Sequence, residues 1–371
     1  MSIYETLGVR PVINAAGAVS RYGGSLMAPE VLDALQEASQ EFCLLDELHA
    51  KVGERIAALI DVEAAYVTSC AAAGMVITAA ACMTGVDPQK IKQLPDPIRL
   101  RHEVIIQTGH RIDYDQAIRL AGANLIEIPD NGAPPVAAMQ AAINANTAAI
   151  FYLARAMTHP ASVPFEQVVE LAHAAGVPVI VDAASECPPL STLTRFSKAG
   201  ADLVIFSGGK SIMGPQSTGL IIGRKDLIAA CAANGTPFAA VGRPMKVSRE
   251  EIIAFMKALE LYLARDHEAD QTRWDAQLRQ IEAALADVSH IHLSRLAKAQ
   301  TYTVPMLAIR PEPVLGMTRK AIADALLAGE PRIVVALHQT ADSVVINPHM
   351  LQVGQEQMIA ERCRAVLTGK V

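Results

Sequence analysis

The sequence predicts an α/β protein: a mostly parallel, doubly wound large-domain sheet followed by a smaller C-terminal α+β domain. Three observations carry this. Short runs of nearly unbroken aliphatic residues recur up to about residue 223, amphipathic helical stretches separate them, and past residue 248 the pattern changes to a long helix and short strands. Aliphatic runs without polar alternation mark strands covered on both faces, as parallel sheets require.

In chain order, the strand-like YVTS (66–69) runs into the Ala-rich helical stretch CAAAGMVITAAA. EVIIQ (103–107), NLIEIP (124–129), AAIFYL (148–153), PVIVDAA (178–184), DLVIFSG (202–208) and TGLIIG (218–223) read as strands. Between them lie helical patterns such as PPVAAMQAAINA and FEQVVELAHAAG, the latter stopping at Gly176. The Pro- and charge-rich DPQKIKQLPDPIRLRHE (87–103) reads as a surface loop. At Ser248, SREE has the form of a capping box opening a helix that runs to about Leu285. Beyond it HIHLSRL, TYTVPMLAIR, PRIVVALHQ and SVVINPHM read as short strands around the helix TRKAIADALLAG. The expected division is residues 1–247 for an N-terminal arm and the large domain, and 248–371 for a linking helix and the small domain.

The chain has 371 residues, 51% hydrophobic and 19% charged, enough to bury a large core. A net charge of −6 without a basic stripe argues against a nucleic-acid partner. Six cysteines without a CxxC pair read as reduced thiols of a cytoplasmic protein. The opening MSIYETLGVRPVIN lacks a basic segment followed by an apolar one, and no apolar run approaches ~18 residues, so no membrane partner is expected.

Ligands of doubly wound sheets sit at the carboxyl ends of the strands. Two side chains with complementary chemistry fall there. Lys210 follows the strand ending near Ser207 and is flanked by Gly208, Gly209, Ser211 and Gly214, as expected where a flat ligand approaches the backbone. Asp182 ends the strand one βαβ unit upstream. A lysine for a Schiff base and an acid for a pyridinium nitrogen are what pyridoxal phosphate requires. The alternatives are a lysine reaching solvent from a loop and an aspartate capping a turn. For a phosphate, the strand-to-helix junction at Ser69, Cys70 and Ala71 offers backbone N–H groups and the helix dipole, with the Ser207 hydroxyl as a further donor. The HIH triplet at 290–292 lacks a third metal ligand, so no metal is expected.

VINAAG near the start, the AAA helix start, TGHR (108–111), VDAAS (181–185) and FSGGKSIMGPQSTG together resemble the fold-type-I pyridoxal-phosphate enzymes of the selenocysteine synthase superfamily. Within it the resemblance is closer to the branch that includes D-glucosaminate-6-phosphate ammonia lyase. It covers roughly residues 8 to 260 well and the C-terminal domain loosely. It implies that Lys210 holds the cofactor, Asp182 pairs with its ring nitrogen, Ala184 packs beneath the ring and His110 stacks on the other face. The alternative for His110 is a loop histidine bound to backbone. The resemblance further places Gln216 near the phosphate, reaching toward a neighbouring subunit, and Arg332 at the substrate carboxylate. His159, Arg21, Arg243 and Lys246 are further candidates facing the substrate, the last three for a distal phosphate or carboxylate. Where selenocysteine synthase carries an acidic residue before its lysine and asparagines at the helix start, this chain has Gly209 and Thr68-Ser69-Cys70.

The resemblance implies an ammonia lyase that acts by α,β-elimination on a free 2-amino-3-hydroxy acid and works as a homodimer or an assembly of dimers. Racemisation and aldol cleavage could use the same lysine. Selenium transfer to seryl-tRNA is disfavoured by charge, and a pyridoxal-binding regulatory protein is the non-enzymatic alternative.

Overall fold

The computed structural model describes residues 2–129, 134–296 and 302–370. It separates into two units: one holds Met27–Ala264, the other joins the segment up to Leu26 with the chain from Arg265 on. The first strand of the chain, β1 (Ile13–Ala15), belongs to the second unit and is described with it.

The larger unit is built on seven strands: β2 (Ala64–Thr68), β3 (Glu103–Gln107), β4 (Asn124–Ile128), β5 (Thr147–Leu153), β6 (Val179–Asp182), β7 (Leu203–Ser207) and β8 (Gly219–Gly223). Their order is β2-β8-β7-β6-β5-β3-β4. β4, β3, β5, β6 and β7 run parallel, while β8 is antiparallel to both its neighbours. Every residue of β5, β6 and β8 is buried, which is why these segments read as unbroken aliphatic runs. This is the mostly parallel large-domain sheet that the sequence predicts.

Register brings the strand ends together. Leu153, the last residue of β5, pairs with Asp182, which pairs in turn with Ile205 on β7. Ser207 and Thr68 both face Gly219. The segments leaving β2, β5, β6 and β7 therefore emerge along one edge of the sheet.

The expected long helix from Ser248 is two. Its start is the predicted capping box: Glu251 N–H donates to Ser248 Oγ (3.3 Å) and Ser248 N–H to Glu251 Oε2 (3.0 Å). The first helix, Arg249–Ala264, packs within the sheet unit on Pro29–Ser39 and Leu45–Ile60. A second, His267–Leu285, begins at Asp266, whose carboxylate accepts from Glu268 and Ala269 N–H. The apolar periodicity continues across the break, so only this cap betrays it. The stretch read as a surface loop also contains a short helix, Pro88–Gln93, capped by Asp87.

In the second unit β9 (Ile291–Leu296), β10 (Met306–Pro311) and β12 (Val344–Ile346) form an antiparallel sheet in the order β12-β10-β9, while β11 (Ile333–Val335) pairs in parallel with β1. Thr301, the first residue of one expected strand, lies outside the described residues. Leu278, Ile281, Leu307, Ile309, Ile322 and Ile359 are among its core. The division thus departs from the expected 1–247 and 248–371 at both ends. The N-terminal arm belongs with the small domain because β1 finds its hydrogen-bonding edge there, and the helix Arg249–Ala264 belongs with the large one because its apolar face packs there.

Candidate active site

Lys210 lies three residues past β7, in a loop that folds on itself before β8 begins. Gly208 N–H donates to Thr218 O (2.8 Å), Gly214 N–H to Gly208 O (2.9 Å) and Met213 N–H to Lys210 O (3.0 Å). The glycines are needed by this packing. A methyl on Gly209 would stand 2.4 Å from Gln216 Cα, and one on Gly208 would meet Thr218 Oγ1 at 2.1 Å and the Phe255 ring at 2.7 Å. They serve close approach within the protein.

Asp182, 7% exposed, ends β6. Its Oδ1 accepts from Ala184 N–H at 2.9 Å, and no hydrogen bond to its other oxygen occurs among the described residues. Burial pushes its carboxyl above the ordinary range, while the Ala184 N–H, Lys210 and Arg155 pull it back. Lys210 is displaced the other way: burial lowers its amine, Asp182 and Glu186 raise it, and Arg155 adds to the lowering. Its Nζ has no hydrogen bond or ion pair among the described residues. A small cavity beside it is lined by Ala183, Ala184, Cys187, Ser207, Ser211 and Ile212, among others. Ser211 Oγ donates to the Cys187 carbonyl and so ties the loop after Asp182 to the loop of Lys210.

The third element stands where expected. Cys70 caps the helix Ala71–Thr84, its Sγ accepting from Ala73 N–H at 3.3 Å. Ser69, Cys70, Ala71 and Ala72 are partly open to solvent. The first N–H groups of a helix lack intrahelical partners, so this start suits an anion. These residues fit pyridoxal phosphate: a weakly hydrated amine for the aldehyde, a buried carboxylate with one oxygen left for a ring N–H, and a helix start for the phosphate.

His110 is packed differently from the expected stacking. It is 0% exposed, so its ring has no open face. Nδ1 accepts from Leu153 N–H at 3.0 Å, which places the proton on Nε2, directed at Ser162 Oγ at 2.9 Å. The ring meets Tyr152 edge-on at 4.4 Å. Burial, with a smaller contribution from His159, pushes its pKa down to about 4. This is the alternative weighed from the sequence, a histidine bound to backbone. It clamps the end of β3 to the end of β5.

The other candidates are scattered. Arg332 donates to the Leu327 carbonyl (3.1 Å) through Nε and to the Arg10 carbonyl (3.3 Å) through Nη1, so two of its N–H groups are taken by backbone within the second unit. Arg21, on the turn Ser20–Tyr22 of that unit, is exposed. Arg243 and Lys246 are exposed at the turn Arg243–Met245, with no hydrogen bond or ion pair to Lys210 or Asp182. His159 is exposed, its Nδ1 accepting from Ala161 N–H at 3.3 Å. Gln216 is exposed, with its main chain against Gly209 beside the lysine. Among the described residues no group of His, Cys, Asp or Glu is arranged for a metal ion.

Two residues missed in the sequence act on the site. Glu186 is 3% exposed, accepts from Ser185 Oγ at 2.9 Å and lies within electrostatic reach of Lys210. Arg155 follows β5 and acts on both Lys210 and Asp182. A cation just past a strand end was a legible signal for Arg155. Glu186 carried none.

Fold and site together define a pyridoxal-phosphate enzyme of fold type I. The family model for L-seryl-tRNA selenium transferase matches residues 12–305, and the chain belongs to that family. It is 31% identical over 372 residues to D-glucosaminate-6-phosphate ammonia lyase of Salmonella typhimurium, covering 98% of each chain. A solved structure of D-glucosaminate-6-phosphate ammonia-lyase superposes with a TM-score of 0.85 at 30% identity, over 100% of this chain and 99% of that one. A 5'-C-glycyluridine monooxygenase-decarboxylase of Streptomyces sp is 30% identical over 98% of this chain and 92% of that protein. Serine palmitoyltransferase of S. paucimobilis shares the fold, with a TM-score of 0.62 at 13% identity over 96% of this chain and 88% of its own.

Proposed function

We propose that this chain is a pyridoxal-phosphate-dependent ammonia lyase acting on a free 2-amino-3-hydroxy acid, sugar-derived or phosphorylated. The observation that carries the reading is the amine of Lys210, without a hydrogen-bond partner among the described residues and with its pKa lowered by burial, at the strand end beside Asp182. Full-length similarity to an ammonia lyase supports the reaction class.

When bound, pyridoxal phosphate supplies an electron sink for the α-carbon. Lys210 receives the α-proton on Nζ as general base. The β-carbon–oxygen bond then breaks, the electron pair leaving on oxygen, which takes up a proton and departs as water. Hydrolysis of the resulting enamine by a second water gives the 2-oxo acid and ammonia. Asp182 would keep a proton at the ring nitrogen through the oxygen that has no hydrogen bond among the described residues. Ser69, Cys70 and Ala71 would hold the phosphate, joined by Ser207 and Gln216, and Ala184 would pack against the ring. His110 positions the end of β5.

We further assign a homodimer or an assembly of dimers, supported by Phe42 and Leu44, 96% and 69% exposed on neighbouring surface of the larger unit. A cytoplasmic location is supported by six unpaired cysteines. No described helix is long and apolar enough to cross a membrane.

Borohydride reduction of the pyridoxal-loaded protein, followed by peptide mapping, is expected to label Lys210. Incubation with a panel of 2-amino-3-hydroxy acids is expected to release ammonia and 2-oxo acid. A label on another lysine overturns the site. Turnover only with seryl-tRNA, or racemisation without ammonia, overturns the reaction.

A further inference from the structure

Arg155 is held in place on both sides by buried contacts. Before it, Leu153 N–H donates to His110 Nδ1 (3.0 Å); after it, Ser162 Oγ donates to the Ala156 carbonyl (2.8 Å), as does His159 N–H (2.9 Å). The neighbouring Ala154 and Ala156 are buried, while Arg155 itself is exposed on the turn Ala154–Thr158. The turn begins one residue after Leu153, which is in register with Asp182. The guanidinium therefore projects from a fixed backbone at the end of the sheet where Asp182 and Lys210 lie. It has no hydrogen bond or ion pair among the described residues, unlike Arg332, which two backbone carbonyls occupy. Its charge is felt by both Asp182 and Lys210, and it is the cation that acts on the two together.

The positive charge of Arg155 already favours the neutral form of the Lys210 amine, and its guanidinium, exposed and without a hydrogen bond or ion pair among the described residues, can in addition meet an incoming anion. In the substrate proposed above, the carboxylate is one carbon from the nitrogen that joins at the Lys210 position. A distal phosphate is several bonds further away. The planar fork of a guanidinium matches a carboxylate with two parallel hydrogen bonds. We propose that Arg155 binds the α-carboxylate of the amino-acid substrate, a task the resemblance had implied for Arg332. The inference rests on the pyridoxal-enzyme reading.

The test follows the absorbance of the pyridoxal-loaded protein while it is titrated with D-serine, L-serine, O-phospho-D-serine and ethanolamine, the last lacking a carboxylate. Arg155→Gln is expected to weaken both serines and phosphoserine at least tenfold and to leave ethanolamine within about twofold, since a charge-assisted pair has been removed. Arg155→Lys should fall between, and Arg332→Gln should stay within about twofold of the parent. Thermal melting of Arg155→Gln should match the parent, because the side chain is exposed. Unchanged serine affinity, equal weakening of ethanolamine, weakening confined to phosphoserine, or a larger loss in Arg332→Gln would each overturn the proposal while leaving the cofactor reading intact. A parent protein without bound-pyridoxal absorbance, or one unperturbed by every amino acid, would overturn both.

Discussion

The α-carbon of Gly219 lies against the peptide joining Cys70 to Ala71: a methyl group there would stand 2.6 Å from the Cys70 carbonyl carbon and 2.9 Å from the Ala71 nitrogen. The start of β8 is thereby the floor under the helix start assigned to the phosphate. Gly219→Ala must push that helix start away. We expect a loss of about 1–3 kcal/mol in chemical denaturation, together with at least tenfold weaker pyridoxal phosphate binding by fluorescence titration. Unchanged affinity would detach the helix start from the cofactor.

Asp182→Asn keeps the shape and its Ala184 contact but removes the charge. The pyridoxal should still bind, with turnover lower by two orders of magnitude or more, about 3 kcal/mol in barrier. Turnover within a few-fold of the parent would assign the carboxylate another task.

The protonation of Lys210 can be read without cofactor. Burial lowers its pKa from 10.5, and Glu186 opposes the lowering. The neutral amine, the form that reacts, appears as pH rises through the folded-state pKa. In the cofactor-free protein, the pH midpoint for acylation of Lys210, followed by peptide mapping, should lie below 10.5. Glu186→Gln should move it lower still, because a charge favouring the protonated form is gone. A shift to higher pH would contradict the assigned proximity.

His49 stacks on Tyr66 with ring centroids 4.7 Å apart, and both its ring nitrogens are buried without a hydrogen-bond partner among the described residues. Burial lowers its pKa from 6.5 to about 4. Below pH 6.5 the unfolded chain takes up a proton that the folded one refuses, so stability falls as pH drops toward 4. His110 and His349, lowered to about 4 and about 3, add to the same acid loss. His49→Phe retains the stack and removes the unmet donor. We expect it to equal or exceed the parent by up to about 3 kcal/mol at neutral pH, with a shallower fall between pH 6.5 and 4 in denaturant titrations. A less stable variant would mean that a solvent molecule satisfies the imidazole.

The sheet was legible because β5, β6 and β8 are buried on both faces and carry no polar interruption. Lys210 and Asp182 were legible because strand ends are few and their chemistry is complementary. The break at Asp266 was not, since an N-cap inside a continuing apolar period resembles any surface aspartate. His110 misled because TGHR records the residue and not its partners; Leu153 and Ser162, which fix its ring, are far off in sequence. The role suggested for Arg332 likewise gave no warning of the Leu327 and Arg10 carbonyls that occupy it.

The pairing of β1 with β11 sets an order on synthesis. Ile13 leaves the ribosome about 320 residues before its partner Ile333. The strands of the larger unit are complete long before, so the nascent chain can assemble that sheet while its first residues wait without a neighbouring strand. A strand that stays unpaired over this interval is open to proteases and chaperones until its partner emerges. Ribosome-bound chains stalled beyond Ala264 should protect the sheet from limited proteolysis while the segment before Leu26 is still cut, and release of the full chain should close that window.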